Sequence, residues 1–515
     1  MIMKKITLMA IMSLSLGLCG AKAQGISNPV QSENNFRNTL WFNTENVAGL
    51  AFRPLAQYNG LGLAYKGESG DWHTLQQPSS SKEATASTSG ATSLGKFRLW
   101  GDFAFRNIFT EGSKFNAILY EIGNDMPYYV ADTASSGWRK QEYDMSAKIA
   151  SPVLWNSVSF GMSLRYISRV GAKQKDPRTE TYNYSIEAVP SAVWKLSDRQ
   201  SIGINAYLDH TYERSEPSNR NNYREPMVFL TKGLGQAQVG KVGGNDGIKK
   251  YYYKGWLYGA GLQYGYEGDS QILTEMRYVR KTVDVLQNPV VPKSMGSTAQ
   301  NALYGSMQML FGNNKSNKVS VEGSFKATDG NEQLQKLISD AHNQHWETVS
   351  TSNMSKYLNA YATAGYDHQT GAGDNAGYDW NYGGNLTYSM EDDEYYIPET
   401  TFGWSSAAVE AYGAKFFKFK TSNLLARLCT GYSHSLSGSY DYTADTNTAL
   451  LQAMYKEDIV YHTDDFIKMA GRLAYTLNSK KVNYVFDLSA DCRFTVGSGK
   501  ARSRHCGYLS FGIIF

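Results

Sequence analysis

Charged side chains recur at every second position in several stretches of this 515-residue chain. The stretch VNYVFDLSADCRFTV (482–496) carries Asp487, Asp491 and Arg493 on one parity and apolar residues such as Phe486 on the other. Two carboxylates act as an acid–base pair only where they come close enough to share a proton. Along an extended strand Asp487 and Asp491 would lie about 13 Å apart, which is too far. No G-x-S-x-G motif or Ser/His/Asp arrangement supplies a nucleophile, so we predict that the protein is not an enzyme.

Other motifs have spacings that suggest chemistry. GQAQVGKV (235–242) matches G-x-x-x-x-G-K, but a valine follows where a phosphate-binding loop needs Ser or Thr for magnesium. HNQHWE (342–347) places two histidines three apart, as in some metal sites, although we favour a short amphipathic helix over 331–345. The acidic stretches MEDDEYY (390–396) and HTDDF (462–466) could bind calcium, but we interpret them as solvated loop ends. We therefore predict no cofactor and no metal.

The elements that must position these residues are β-strands, because side chains alternate between the two faces of a strand. The same alternation recurs in FIKMAGRLAYTLN (466–478), VSFGMSLRY (158–166) and KVSVEGSFK (318–326). Counted from residue 96 to the end, these segments number about 16, an even count as in bacterial barrels. The chain before residue 96 has room for another pair, so we expect roughly 14 to 18 strands.

The connections between these strands alternate in length. Short ones, such as SPVLWN (151–156) and NSKK (478–481), separate long ones, such as 213–250, 327–354 and 437–464. In hydrocarbon every backbone polar group must be paired, so a sheet that spans a membrane closes on itself. We predict an all-β, transmembrane, antiparallel outer-membrane β-barrel with short periplasmic turns and long extracellular loops. The apolar parity would face lipid and the polar parity a wet lumen.

The two ends of the chain carry export and assembly signals. MIMKKITLMAIMSLSLGLCGAKAQG has a basic start, an apolar core and an A-x-A site, which predicts a cleaved signal peptide over 1–23. Cys19 suggests a lipoprotein instead, but the bulky Leu18 before it disfavours that alternative. The final strand resembles the signal that bacterial barrel-assembly machinery reads; its apolar face is formed by Phe511, Ile513 and Phe515.

Removal of the leader and its three lysines lowers the net charge from +4 to about +1, which gives no reason to expect nucleic-acid binding. We expect three segments. These are the signal peptide, a periplasmic N-terminal segment or small plug over 24–58, and the barrel over 59–515. The predicted location is the outer membrane of a Gram-negative cell.

The parity of the strands predicts which charged residues face the lumen. Both signs are well represented among them, which argues against strong selectivity for anions or cations. These residues could be a selectivity lining, or they could be a salt-bridged wall that keeps its polar groups satisfied. The predicted lumen-lining residues are Arg98, Asp102, Arg165, Glu275, Arg277, Glu322, Arg427, Arg472, Asp487, Asp491 and Arg493.

Two resemblances add expectations. WFNTENVAGLAFRPLAQYNGLGLAY (41–65) is similar to the N-terminal hatch of FadL-type channels for fatty acids and hydrocarbons, with Val47 where that family has proline. The matching hatch residues are Asn46, Ala48, Gly49 and Leu50. This resemblance implies a small plug and a route for apolar cargo. As a whole, with ENVAGL, FRLWGDFAFRN (97–107) and FGIIF, the chain resembles an uncharacterised family of outer-membrane barrels common in Bacteroidota.

These features lead to two alternative functions. The first is a passive channel for small solutes or hydrophobic compounds across the outer membrane. The second is a non-transporting surface scaffold whose extracellular loops bind a partner such as a lipoprotein. In either case we expect outer-membrane lipid and the barrel-assembly machinery as partners.

Overall fold

The computed structural model shows one closed barrel of 18 antiparallel strands. It describes residues 26–515 except 121–125, 222, 224–225, 243–249, 289, 340–343, 372–376, 444–447, 480 and 498–500. Each barrel strand pairs with the next along the chain, and the first strand closes the barrel against the last, with Leu63 opposite Phe511. The predicted signal peptide lies outside the described residues.

The strand bounds follow chain order. The barrel strands are β1 Tyr58–Gly70, β2 Ser80–Leu94, β3 Phe97–Ser113, β5 Ser136–Ala150, β6 Val158–Lys173, β7 Arg178–Lys195, β8 Gln200–Ser218, β11 Tyr251–Glu267, β12 Gln271–Gln287, β13 Lys293–Phe311, β14 Asn317–Ser339, β15 Gln344–Thr370, β16 Trp380–Tyr395, β17 Thr400–Lys418, β18 Ser422–Tyr442, β19 Asp465–Asn478, β20 Asn483–Val496 and β21 Ser503–Ile514. A separate sheet contains β4 Val130–Asp132, β9 Met227–Gly233 and β10 Gln236–Lys241.

The remaining elements are short. Two α-helices, α1 Pro29–Asn38 and α2 Ala449–Thr463, and three 3₁₀ turns, Leu40–Asn43, Val47–Ala51 and Asn313–Lys315, complete the described chain. Asn28 caps α1, since its side chain accepts a hydrogen bond from the backbone of Gln31, and proline occupies the first helical position, as helix starts favour. No helix in the described residues combines the length and apolar character needed to cross a membrane.

The alternation seen in the sequence sets the two faces of the wall. On β20, Phe486 and Leu488 are 47% and 54% exposed on the outside, whereas Asp487 between them is 8% exposed. Exposed apolar side chains recur on the same outer face of other strands, including Leu164, Leu262 and Leu428. The predicted fold class is therefore confirmed, with an apolar outer face and a polar inner face.

The strand count lies at the upper end of the expected range because the chain before residue 96 supplies β1 and β2. The sequence of β2, SSKEATASTSGATSL, has no large apolar residue until its last position. Its outward positions therefore lack the alternation that marks the other strands. The first residues of β1 lie within the stretch 41–65 that resembles FadL-type channels.

The predicted helix over 331–345 is wrong, because residues up to Ser339 continue β14 and residues from Gln344 begin β15. The strand register shifts at Gly330/Asn331 and Leu334/Gln335, where β15 carries the extra residues Met354 and Val349. Beyond Asn331, β14 pairs only with β15 in the described chain, and Leu334 and Leu337 are both exposed. No buried face therefore enforces a period of two there, and the apolar spacing imitates a helix. Of the long connections predicted, 327–354 is mostly an extension of β14 and β15, whereas 213–250 contains β9 and β10 and 437–464 contains α2.

GQAQVGKV (235–242) consists mostly of β10, which pairs with β9, so this glycine-containing stretch is a strand and not a phosphate-binding loop.

Candidate functional site: the lumen and its two closures

The predicted lumen-lining residues lie on the inward-facing positions of the wall, and most bond to neighbours there. Arg165 holds Asp144 through two hydrogen bonds of 3.0 and 3.1 Å, and Arg472 contacts Asp487 at 2.5 Å. Arg493 lies 3.7 Å from Asp491. The first two pairs join neighbouring strands, and the third lies along β20.

The other predicted lining residues have mixed partners. Arg277 lies over the rings of Tyr207 and Tyr304 at 5.1 and 4.1 Å. Glu275 accepts a hydrogen bond from Gln263 at 3.0 Å, and Glu322 accepts one from Tyr361 at 3.4 Å. The remaining contacts are Arg98 to the hydroxyl of Ser93 at 2.6 Å, Asp102 opposite Ser146 on β5, and Arg427 to Glu33 at 2.8 Å.

The N-terminal segment, residues 26–57, lies inside the barrel at the end where the strands are joined by short turns. We call it the short-turn closure. Its central contact is Glu33 on α1. The Glu33 carboxylate is 2.8 Å from Arg427 of β18, 2.8 Å from Arg472 of β19, and 3.1 Å from the hydroxyl of Tyr378. Two predicted lumen arginines thus meet on one acid from the N-terminal segment.

Further polar contacts fix the rim of the short-turn closure. Arg37 pairs with Asp367 at 2.8 Å and donates to the carbonyl of Lys315. Arg53 forms a two-pronged contact with Glu267 beside the turn between β11 and β12. Both partners lie next to short turns, so this segment is tied to the barrel rim as well as to its wall.

The four hatch residues make close contact with the wall. Asn46 is fully buried, and its side-chain nitrogen lies 2.7 Å from the Gln263 side-chain oxygen. The backbone oxygen of Ala48 accepts a 2.6 Å hydrogen bond from Ser159. A Cβ at Gly49 would lie 2.2 Å from the ring of Trp41, so only glycine fits there. Leu50 is buried against the wall beside Val47 and Ala150.

The opposite end of the barrel is filled differently. Residues 115–120, 126–132, 227–242 and 449–463, which we call the long-loop closure, contain β4, β9, β10 and α2. They pack against the inner faces of β11 and β12 in one apolar cluster. Among its buried members are Phe115, Ile118, Tyr128, Tyr129, Val228, Phe229, Tyr251, Tyr253, Val283, Leu451 and Met454.

The prediction that MEDDEYY forms a solvated loop end is wrong. MEDDEYY is the end of β16, where Asp393 is only 3% exposed and Glu391 accepts a 3.1 Å hydrogen bond from Trp404. These two carboxyls face inward, so they do not belong to a solvated loop end. In HTDDF, His462 is also covered, because its ring stacks on Trp404 at 4.5 Å.

Two titratable groups of α2 lie outside the membrane-spanning strands. Burial raises the pKa of the Asp458 carboxyl to about 7. Burial lowers the pKa of the His462 imidazole to about 4. In the described residues no group of three His, Cys, Asp or Glu side chains is arranged to hold a metal ion. His342 of the histidine motif falls outside those residues.

A cavity of about 920 Å³ lies between the short-turn closure and the inner faces of β13 to β18. Hydroxyl, carboxamide and charged groups line most of it. The polar members of its lining include Glu33, Arg37, Asn43, Gln308, Lys318, Ser320, Glu322, Tyr361, Thr363, Asn381, Asn385, Thr387, Glu410 and Arg427. The space is therefore polar, and its floor is the segment that closes the barrel.

The matching family spans most of the described chain, from the 3₁₀ turn at Val47 to the last residue. The chain belongs to a family of unknown function, DUF6850. The family model matches residues 47–515, which include the whole barrel. No curated protein matches the chain. The match confirms an uncharacterised family, while its association with Bacteroidota stays a prediction.

Three solved structures of similar fold can be compared with this chain, and each is distant in sequence. A FadL homologue from Pseudomonas aeruginosa has 11% identity and a TM-score of 0.33, with 96% of each chain covered. The RagAB peptide transporter has 6% identity and a TM-score of 0.42, with 88% of this chain and 86% of that chain covered. BauA, the ferric preacinetobactin receptor from Acinetobacter baumannii, has 6% identity and a TM-score of 0.39, with 89% and 80% covered. Since these values show at most a shared fold, they carry no argument about cargo.

Sequence reasoning missed Glu33, which joins Arg427 and Arg472. The acid is separated from these arginines by 394 and 439 residues, and nothing in PVQSENNFRN distinguishes it from a solvated helix residue. It also missed Glu391 and Asp393, because the four consecutive acids of 391–394 show no alternation of polar and apolar residues that would mark a strand.

Proposed function

We propose that this protein is an outer-membrane channel for small polar solutes that is closed at rest. The apolar outer face of the barrel supports a place in lipid, and the short turns between strands support a periplasmic position for the short-turn closure. In this orientation the long-loop closure faces the outside of the cell.

The observation that carries the proposal is the polar cavity beside the short-turn closure. A route for hydrophobic compounds needs an apolar lining, whereas most of the residues that line this cavity carry carboxamides, hydroxyls or charges. Polar lining groups exchange hydrogen bonds with a polar solute at little net cost. We therefore favour small polar cargo over the apolar cargo that the FadL resemblance implies.

The short-turn closure acts as the plug in this proposal. Its contacts with the wall include several ion pairs and hydrogen bonds, such as Glu33 with Arg427 and Arg53 with Glu267. Water can replace such partners when the segment moves, so that opening costs less than exposing an apolar core of the same size. Displacement of this plug would join the cavity to the periplasm.

Liposome swelling tests the proposal. Full-length protein refolded into liposomes is mixed with uncharged solutes of increasing size, and heat-dependent gel migration confirms that the barrel has formed. We expect slow entry of the smallest solutes and a cut-off as size rises. A folded barrel that admits no solute would contradict the proposal.

A second candidate, the surface scaffold, is favoured by one feature. β14 pairs with β13 only as far as Asn331, and β15 pairs with β16 only as far as Ser355. Beyond those residues the hairpin pairs only with itself in the described chain, and Leu334 and Val349 are more than half exposed. Such a hairpin could present a surface to a lipoprotein. Removal of residues 333–351 would abolish partner capture in this case and leave solute entry unchanged.

A further inference from the structure

We propose that the polar cavity is a binding site for a short, uncharged oligosaccharide. The inference deepens the proposed function, because it names the class of solute that this cavity would hold on its way through the barrel. It is supported by four features of the lining: its balanced charges, its hydrogen-bonding groups, two polar side chains brought together at a glycine, and its size.

The charges of the cavity lining are balanced. Three carboxylates, from Glu33, Glu322 and Glu410, face three cations, from Arg37, Lys318 and Arg427. Glu33 pairs with Arg427 at 2.8 Å, and Glu410 pairs with Lys468 at 2.7 Å. An ionic ligand would have to break such pairs, whereas an uncharged ligand leaves them in place.

The groups between these charges both donate and accept hydrogen bonds. Thr363 and Thr387 lie side by side on β15 and β16, with their hydroxyl oxygens 2.9 Å apart. Asn43 of the short-turn closure donates to Gln308 of β13 at 3.3 Å. A carboxamide has two donor hydrogens and an acceptor oxygen, and a hydroxyl has both functions. Sugar hydroxyls have the same dual character, so this lining matches them better than it matches an anion.

Gly365 allows two polar side chains to close over its backbone. A Cβ at this position would lie 2.7 Å from the side-chain oxygen of Asn385 and 3.0 Å from the hydroxyl of Ser320. The absence of a side chain therefore brings an acceptor oxygen and a hydroxyl close together in the cavity wall. Tyr361, four residues before the glycine on the same face of β15, presents an aromatic ring to the cavity. An aromatic ring can cover the C–H face of a sugar while polar groups bond its rim.

The size of the cavity agrees with a short oligosaccharide. Its volume is about 920 Å³, whereas binding sites for small molecules span roughly 300–1,000 Å³. A single sugar ring would leave most of this space to water. Two to four linked rings are therefore the length that we infer.

Isothermal titration calorimetry on the refolded full-length protein tests this inference. The titrants are maltose, maltotriose and cellotriose, with citrate, a dipeptide and decanoate as the charged or apolar alternatives. We expect saturable binding of at least one of the uncharged sugars and weaker binding of citrate, the dipeptide and decanoate. Binding of citrate, the dipeptide or decanoate with no sugar binding would overturn the inference, as would binding of none of them.

Matched variants place the binding in the cavity. Asn385→Leu keeps similar side-chain volume without hydrogen bonds. Gly365→Ala places a methyl group against the side-chain oxygen of Asn385 and displaces it. Each should weaken sugar binding by roughly three- to tenfold. The control is Gly305→Ala, whose Cβ would meet nothing within 4 Å. Sugar binding that is as strong in both cavity variants as in the parent protein would contradict the assigned site.

Calorimetry does not depend on whether the barrel opens, so the two proposals can fail separately. Sugar binding by a barrel that admits no solute would sustain the binding site and refute the channel. Solute entry without sugar binding would sustain the channel and refute the binding site.

Discussion

The two ends of the barrel are closed by different chemistry. At one end the short-turn closure is held to the wall by ion pairs and hydrogen bonds centred on Glu33, Arg37, Asn46 and Arg53, together with several small apolar clusters. At the other end the long-loop closure forms one larger apolar cluster with β11 and β12. Polar contacts can be exchanged for water, whereas the exposure of buried apolar area carries a large cost. The comparison indicates that the first closure moves more readily than the second.

The largest effect is expected at the apolar long-loop closure. Phe229→Ala removes a fully buried ring of the apolar cluster, and such changes cost about 3–5 kcal/mol. We expect proteases added outside liposomes to cut the long-loop closure readily in this variant, while heat-dependent migration still shows a folded barrel. Leu450→Ala, at a position 48% exposed on α2, is the control and should resist cleavage like the parent. Equal resistance of both variants would show that the cluster does not hold this end closed.

The tight fit at Gly49 is the next test. Gly49→Ala places a methyl group against the ring of Trp41, and overpacking of this kind costs about 1–3 kcal/mol. The short-turn closure should detach more often, which would raise the open probability in single-channel recordings. Gly60→Ala is the control, because its Cβ would have only ordinary contacts of 3.8 Å or more. An unchanged open probability for Gly49→Ala would count against a moving closure.

Glu33 should have a somewhat smaller effect. Glu33→Gln keeps the shape of the side chain and removes the charge that Arg427 and Arg472 share. The closed state should lose about 1–2 kcal/mol, so the open probability should rise roughly 5- to 30-fold. Glu45→Gln in the same segment is a matched control, since Glu45 is 3.9 Å from its partner Lys148. If both variants behaved alike, the arginine fork would not be the contact that keeps the barrel closed.

The pH dependence of the long-loop closure gives the subtlest test. The pKa of Asp458 is raised to about 7 in the docked helix, compared with about 4 in an unfolded chain. Docking of α2 therefore weakens as the pH rises from about 4 to about 7. The pKa of His462 is lowered to about 4, compared with about 6.5 in an unfolded chain, so its contribution to docking strengthens as the pH rises from about 4 to about 6.5. The two effects oppose each other between about pH 4 and 6.5.

Single variants should separate these effects. Asp458→Asn leaves the contribution of His462, so resistance to proteases should increase with pH over this range. His462→Gln leaves the contribution of Asp458, so resistance should decrease with pH. The measurement is protease cleavage of the long-loop closure in liposomes between pH 4 and 8. Parallel profiles for the two variants would contradict the burial of these side chains.

The sequence predicts the wall far better than what lies within it. Alternation in β20 places Asp487 inside and Phe486 outside, because successive side chains of a strand point to opposite faces. The small, polar β2 gives no such signal, and Leu334 and Leu337 stand at helical spacing because the end of β14 has no buried face. Glu33 and its arginines are hundreds of residues apart, so their meeting depends on closure of the whole barrel. Local periodicity cannot reveal contacts of that kind.

The most direct test of a moving short-turn closure is to tether it. Asn34 of α1 and Gln369 of β15 touch at 2.9 Å through their side chains. Both are replaced by cysteine in a chain whose Cys429, Cys492 and Cys506 are changed to serine, and a short, reducible cross-linker joins them. Planar-bilayer recordings should show no openings while the tether is present and should recover the parent's openings after reduction. The Asn34→Cys single variant controls for the reagent. Openings that persist unchanged in the tethered protein would contradict the account.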